Sequence, residues 1–215
     1  MMRGRGNPVF HIPSEVTKTL LQTTGLYHDI VTSIVAALEA KDRFTADHSL
    51  RVSNLTEQTC VALGLTNEQT ELIHMAAHVH DIGKIGVPDA ILTKPGALDA
   101  VERALIREHP RIGAAILGQT PELCDIAEIV LHHHEQWNGL GYPSGLKGTD
   151  IPLGSRIIAV CDSIDAMLSD RPYRKPLSPE VCREEITVNS GVMYDPGIVE
   201  TILREWDVIV APYCE

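Results

Sequence analysis

Apolar positions along this chain recur at spacings of three and four and almost nowhere at two, so the pattern predicts helices throughout and no sheet. Ile30, Ile34 and Leu38, with Val31 and Val35, mark an amphipathic helix ending near Asp42. Val52, Leu55, Ala62 and Leu63 lie on a second, stopped by Gly64. Thr66 and Gln69 have the spacing of a capping box, which opens a third helix through Leu72, Met75, Ala76 and Val79 toward Asp81. Asp99 to Glu102 opens a fourth, which must finish by His109 because Pro110 follows. Thr120-Pro121 opens a fifth, through Leu123, Ala127 and Val130 to the run His132 to His134. Ser155 to Leu168 is another, and Ser178 to Ser190 carries Pro179 in its first turn and Gly191 past its end. Asp195-Pro196 caps a last short helix.

Two segments resist this pattern. Gly83 to Leu98 holds Gly83, Gly86, Pro88, Pro95 and Gly96, and Trp137 to Gly154 is as rich in glycine and proline. Long loops inside a compact domain are commonly functional. The second follows directly on three histidines, which favours function there.

Composition narrows the picture. Of the 215 residues, 44% are hydrophobic but only 4% aromatic, so the core must be built mostly from Leu, Ile, Val, Ala and Met. A net charge of -11 argues against a protein that grips long nucleic acid. An acidic chain can still bind a small anion if positive charge is concentrated locally, and metal ions do this best. Cys60, Cys124, Cys161, Cys182 and Cys214 form no CxxC pair and read as reduced, mostly buried thiols of a cytosolic protein. No apolar run approaches the ~18 residues of a membrane span, and Met1 to Asn7 lacks the apolar stretch of a signal peptide. The expectation is a soluble, cytoplasmic protein.

Candidate chemistry lies in the ten histidines. His80-Asp81 stands at the end of an apolar helix, and an adjacent imidazole and carboxylate together suit a borderline-hard divalent ion. Taken alone, such a pair reads as a histidine facing a helix dipole. Its company changes that reading. His109 precedes Pro110, His133 and His134 lie beside the glycine loop, and His48 precedes an apolar stretch. Asp162 sits among Ile157, Ile158, Val160, Cys161 and Ile164, and a carboxylate buried there needs a partner charge or a metal. Neighbouring histidines on a helix point about 100° apart, so His133 and His134 can share an ion only at a helix end or distortion.

Together these residues resemble the HD-GYP family. His80-Asp81-Ile82-Gly83-Lys84, followed by Ile85 to Asp89 and Leu92 to Gly96, is similar to its His-Asp signature. His133 to Pro143, with Gly141-Tyr142-Pro143, is similar to its Gly-Tyr-Pro signature. Ile151 to Ile157, Asp162, Asp170 to Arg174 and Tyr194 to Pro196 continue the pattern, so the resemblance covers Asp42 to Leu203.

The resemblance implies an all-α HD-domain helical bundle with a Gly/Pro-rich loop carrying the Gly-Tyr-Pro motif. It divides the chain into an N-terminal helical extension, 1–41, and a catalytic domain, 42–215. It implies hydrolysis of cyclic di-GMP to linear pGpG, with onward hydrolysis to GMP left open. Carried over position by position, the metal ligands are His48, His80, Asp81, His109, His133, His134 and Asp162, with Asp81 the bridge. Lys84 faces the scissile phosphate, Arg171 and Arg174 meet bases or phosphates, and Gly141, Tyr142 and Pro143 shape the loop. The chemistry is consistent with this. Two metals lower the pKa of a bridging water and neutralise phosphate oxygens, in-line hydroxide displaces the 3′-oxygen, and Lys84 stabilises the growing charge.

Phe44 stands where some relatives place a third-metal Glu, which favours two divalent ions, iron or manganese. Gln136 and Asn138 stand where relatives often carry Arg and Asp, a difference expected to touch loop contacts or partners. His11 and His28 read as surface residues, His74 and His78 as core or surface polar residues despite their i,i+4 spacing, and His132 as a neighbour of the ligand pair. Lys175 reads as a solvated charge, and Trp137 as either a substrate stack or a packing anchor. The other readings are a cyclic-dinucleotide receptor without turnover, a phosphodiesterase for cGAMP, and an HD hydrolase acting on nucleoside phosphates. The Gly-Tyr-Pro loop argues against the last. The expected partner is cyclic di-GMP, and a regulatory or diguanylate-cyclase-type protein and a dimer remain compatible with the chain.

Overall fold

The structure, a computed structural model, describes residues 30–38, 47–170 and 175–210. Phe44, Arg171, Arg174, His11, His28 and Cys214 lie outside them. The described residues are helical, with no strand among them beyond an isolated bridge between Ser190 and Tyr194. The elements are α1 (30–38), α2 (His48–Ala62), α3 (Asn67–His78), a 3-10 turn (Ile82–Gly86), α4 (Asp89–Leu92), α5 (Ala100–Ile106), α6 (His109–Leu117), α7 (Cys124–Leu131), α8 (Leu153–Leu168), α9 (Pro179–Val188), α10 (Pro196–Arg204) and α11 (Trp206–Ile209).

Local chemistry explains most boundaries. Thr66 and Gln69 form the reciprocal capping box at the start of α3, and Asp99 and Glu102 form another on α5. Ser178 and Asp195 cap α9 and α10, each with Pro in the first turn. One boundary corrects the sequence reading. The fourth helix does end before Pro110, at Ile106, but His109 is not at its end: it opens a further helix, α6, with Pro110 in the first turn. A first-turn proline costs little because its missing N–H has no acceptor within the helix. The Gly83 to Leu98 segment is likewise not structureless, since it forms the 3-10 turn and α4.

Long α8 runs through the middle, with Ile157, Ile158, Val160, Cys161 and Ile164 fully buried against α2, α7, α9 and α10. The core is aliphatic as composition requires, with Tyr194 and Trp206 its large aromatics. Val31 and Val35 of α1 pack on the same core. On the other side α6 lies across α7 and the 3-10 turn. Gly83 makes that crossing fit, because a Cβ there would run into the His109 carbonyl. The close approach brings the His80-Asp81 turn and His109 together.

Candidate metal centre

Three of the candidate histidines are held by one local device. α3 ends at His78, α5 at Ile106 and α7 at Leu131, so His80, His109 and His133 each stand just past a helix end. The last carbonyls of a helix have no partner within it. Each imidazole uses one: Nδ1–H donates to the Ala77 carbonyl at 2.7 Å for His80, to Ile106 at 2.7 Å for His109, and to Val130 at 2.6 Å for His133. A carbonyl only accepts, so the proton is on Nδ1 and the Nε2 lone pair points the other way, into a common space.

That space is buried. His80 and His109 are 1% exposed and His133 is 0%, too dry for an uncompensated charge. Burial, with the other imidazoles nearby, holds His133 well below the usual histidine range and lowers His109. His134, also desolvated by burial and beside His109, is pushed down to about 3. Nε2 of His109 lies 3.2 Å from Nε2 of His133. With both protons on Nδ1 this contact sets two lone pairs against each other, which a cation between them relieves. The donor chemistry therefore fits a metal ion.

Asp81 lies at the junction. Its Oδ1 is 3.3 Å from His109 Nε2, while its Oδ2 is 3.5 Å from His80 Nε2 and 3.8 Å from His48 Nε2. Lys84 Nζ lies 2.6 Å from the same Oδ2. Burial would raise this carboxyl, but Lys84, His80, His109 and His48 overcome it and hold it well below the usual range. Asp162 reaches in from α8, with Oδ1 3.4 Å from His48 Nε2. Three groups of donor atoms result, each drawn together within 4.8 Å: His48, His80 and Asp162; His109, His133 and His134; and His80, Asp81 and His133, which joins the other two. His133 and His134 do lie past a helix end, with ring centroids 4.1 Å apart and planes tilted by 41°.

The Gly-Tyr-Pro loop folds back over this centre. The Tyr142 N–H donates to the His134 carbonyl at 3.2 Å, and its ring stacks on the His134 imidazole at 4.9 Å. Gly141 must be glycine here, since a Cβ would meet the Glu135 and Gln136 backbone. Burial raises the Tyr142 phenol, so its hydroxyl stays protonated and able to donate. A cleft of about 90 Å³ opens alongside, lined among others by His134, Tyr142, Asp162, Met193 and Tyr194. Trp137 bonds through its backbone to Met193 and lies under the Arg156 guanidinium at 5.9 Å, the contacts of a packing anchor.

Sequence reasoning passed over two residues. Asp165 is buried and accepts the Nδ1–H of His48 at 2.7 Å, and Arg51 clamps the same carboxylate through Nε and Nη2. It stands three residues after Asp162 on α8, the spacing that shares a helix face. Burial would lower His48, but Asp165, then Asp162 and Asp81, outweigh it and raise the imidazole. Partners of this kind orient metal-binding histidines, and losing one typically costs about 10- to 100-fold in metal affinity. Asp165→Ala is expected to show a loss of that size in a metal titration, with its helical circular dichroism unchanged; unaltered affinity excludes the orienting role. The second residue is Glu135, whose buried Oε1 accepts the Ser144 and Gly145 N–H groups at 2.6 and 3.0 Å and pins the loop. His132 faces Glu128 and Glu135, away from the donor groups. His74 and His78 lie in another place, on Ser53.

These shifts set a pH dependence for the metal-free protein. His109, His133 and His134 have folded pKa values below their unfolded value of 6.5. Between the folded and unfolded values the unfolded chain binds more protons, so stability falls as pH drops below 6.5. His48, raised above 6.5, acts in the opposite direction but only above that pH, so it does not offset the loss below it. The melting temperature of chelator-treated protein is expected to fall from pH 7.5 to pH 5, and a flat or rising trend contradicts this balance.

The comparisons with known proteins agree with this architecture. The HD domain family model matches residues 32–198. The chain is 42% identical over 184 residues to a cyclic di-GMP phosphodiesterase of Thermotoga maritima, covering 83% of this chain and 50% of that protein. It is 39% identical over 185 residues to 3′3′-cGAMP-specific phosphodiesterase 2 of Vibrio cholerae, covering 85% of this chain and 35% of that one. It thus spans half the length or less of these curated relatives. The solved structure of an HDG"Y"P protein from Bdellovibrio bacteriovorus matches with a TM-score of 0.63 at 19% identity, over 83% of this chain and 62% of that one. By the family match, with the carboxylate-histidine centre it leads one to expect, this chain belongs to the HD domain family.

Proposed function

We propose that this chain is a metal-dependent phosphodiesterase that hydrolyses cyclic di-GMP to linear pGpG. The observation that carries the reading is the convergence of the buried His48, His80 and His109 imidazoles on Asp81, with the His109 and His133 lone pairs opposed at 3.2 Å. His48, His80 and Asp162 would hold one divalent ion, His109, His133 and His134 a second, and Asp81 would face both through its two oxygens. When bound, such ions neutralise phosphate oxygens and make water nucleophilic at neutral pH. The protein's own groups do the rest. The Nδ1–H bonds fix each imidazole before substrate arrives, so nothing reorganises during the reaction. The Lys84 ammonium, close beside Asp81, meets the charge that grows on the phosphoryl group. The Gly-Tyr-Pro loop excludes water from one side, and Arg171 and Arg174 hold bases or phosphates of the dinucleotide.

The turnover test is direct: metal-loaded protein incubated with cyclic di-GMP is expected to release pGpG. Binding without release turns the reading into that of a receptor. A second reading, 3′3′-cGAMP as substrate, is favoured by the Vibrio cholerae relative of that specificity, and comparing kcat/KM for the two dinucleotides decides between them. The metals are read as two ions, iron or manganese, because Phe44 replaces the third-metal carboxylate. Elemental analysis of anaerobically purified protein is expected to give about two per chain, as two-metal hydrolysis requires; three fully occupied sites in anomalous maps overturn the count. No described helix is long and apolar enough to cross a membrane, and a cytoplasmic location belongs to this reading. So does the absence of a long nucleic-acid partner.

A further inference from the structure

Two cations stand beside the centre that neither the metal ligands nor the matched motifs account for. Arg107, just past the end of α5, places its guanidinium carbon 5.0 Å from the centroid of the Tyr142 ring. Arg111, in the first turn of α6, donates from Nη2 to the Pro143 carbonyl at 3.2 Å. Both side chains are exposed, and both converge on one dipeptide from the α5–α6 junction that also carries His109. Two like charges directed at one uncharged dipeptide repel each other. Arg51, Arg156, Arg204 and Lys94 each meet a carboxylate elsewhere in this acidic chain. Arg107 and Arg111 meet none among the described residues. Guanidinium groups are the side chains best shaped for phosphate oxygens, which they bind in a bidentate fork.

We infer that Arg107 and Arg111 form a second anion subsite, which receives the phosphate of the cyclic dinucleotide that is not being cleaved. This rests on the phosphodiesterase reading above. A cyclic dinucleotide carries two phosphodiesters, and when one lies at the histidine centre the other must be met elsewhere. Tyr142 links the two places, stacked on His134 at 4.9 Å on one side and under Arg107 at 5.0 Å on another. The pair acts on substrate affinity and on the choice of a dinucleotide over a simple diester, since a simple diester has no second phosphate to offer. The Tyr142 ring, held between the guanidinium and the imidazole, sets the separation that such a substrate has to match.

The test compares cyclic di-GMP with bis(p-nitrophenyl) phosphate, a diester with a single phosphate, on the metal-loaded full chain. The double variant R107Q/R111Q is expected to raise KM for cyclic di-GMP about 10-fold or more, the size of one lost charged hydrogen bond. Its kcat, its metal content and its KM for the aryl diester stay at wild-type values. Arg107→Lys with Arg111→Lys, which keep the charge, recover part of the lost affinity. Arg103→Gln, one turn earlier on α5, changes nothing. If the double variant raises KM for both diesters alike, the arginines only support the loop and the subsite is overturned. It is equally overturned if neither KM changes. Wild-type protein that cleaves the aryl diester but never the cyclic dinucleotide overturns the functional reading itself, and the subsite with it.

Discussion

Asp81→Ala is expected to abolish turnover and to strip the protein of most of its metal while its helical circular dichroism survives. The reason is the position of the carboxylate between the two donor groups. Oδ1 faces His109, and Oδ2 faces His80, His48 and Lys84. Among the described residues no other carboxylate takes that place, since Asp162 approaches only the His48 side among these contacts. Removing Asp81 leaves Asp162 as the one carboxylate of the ligand set, beside imidazoles and an ammonium, with less negative charge to hold an ion. Asp81→Asn separates shape from charge: it keeps the volume and one carbonyl oxygen, and is expected to lose metal almost as fully. The measurement is elemental analysis beside the turnover assay. Metal content near the wild-type value in Asp81→Ala shows that this carboxylate does not join the ions.

Lys84→Ala is expected to keep its metals and to lose on the order of 10²-fold or more in kcat, as for loss of one oxyanion donor. An ammonium is a poor ligand for a cation, so its removal leaves the histidine donors in place. The 3-10 turn carries the side chain to the donor centre, where Nζ meets Asp81 at 2.6 Å and is only partly exposed. A purely solvated lysine at a helix end contributes only a few tenths of a kcal/mol through the dipole, far below a 10²-fold effect. On the proposed reading, in which they hold parts of the dinucleotide that change little during the reaction, Arg171→Ala and Arg174→Ala are expected instead to raise KM. Steady-state kinetics on the three variants separates chemistry from binding. Normal turnover of Lys84→Ala removes the catalytic role assigned to it.

Much of this molecule was legible in the chain, and the legible parts are local. The capping box of Thr66 and Gln69, the cap at Asp99 and the Pro-led starts of α9 and α10 depend on residues within one turn of each other, so the order of residues determines them. The all-helical class followed from the three-and-four spacing of apolar residues. The candidate ligands stood out as residue types in motif order, and the structure brings all seven together, five of them buried and His134 and Asp162 half-buried. At Pro110 the reading placed the end of the fourth helix but did not foresee α6, which opens at His109. A proline marks a boundary but does not say which side of it continues as helix, and here the packing of α6 on α7 and on the 3-10 turn decides.

Only the tertiary structure could make the centre what it is. His80, His109 and His133 come from three separate helix ends, and each uses its own local carbonyl. What turns three local bonds into a site is that Gly83 lets the 3-10 turn lie against the His109 backbone, bringing the Nε2 atoms together. Asp165, with its partner Arg51, and Glu135 were missed for the same reason. Their partners are 117, 114 and nine residues away along the chain, and a side chain's partner at such separations is chosen by packing. Helix type and boundary chemistry act over a few residues, so the sequence by itself determined them. The lowered pKa values of His109, His133 and His134, the charge on Asp81 and the opposed lone pairs arise from burial and from groups meeting across helices, so packing decides them.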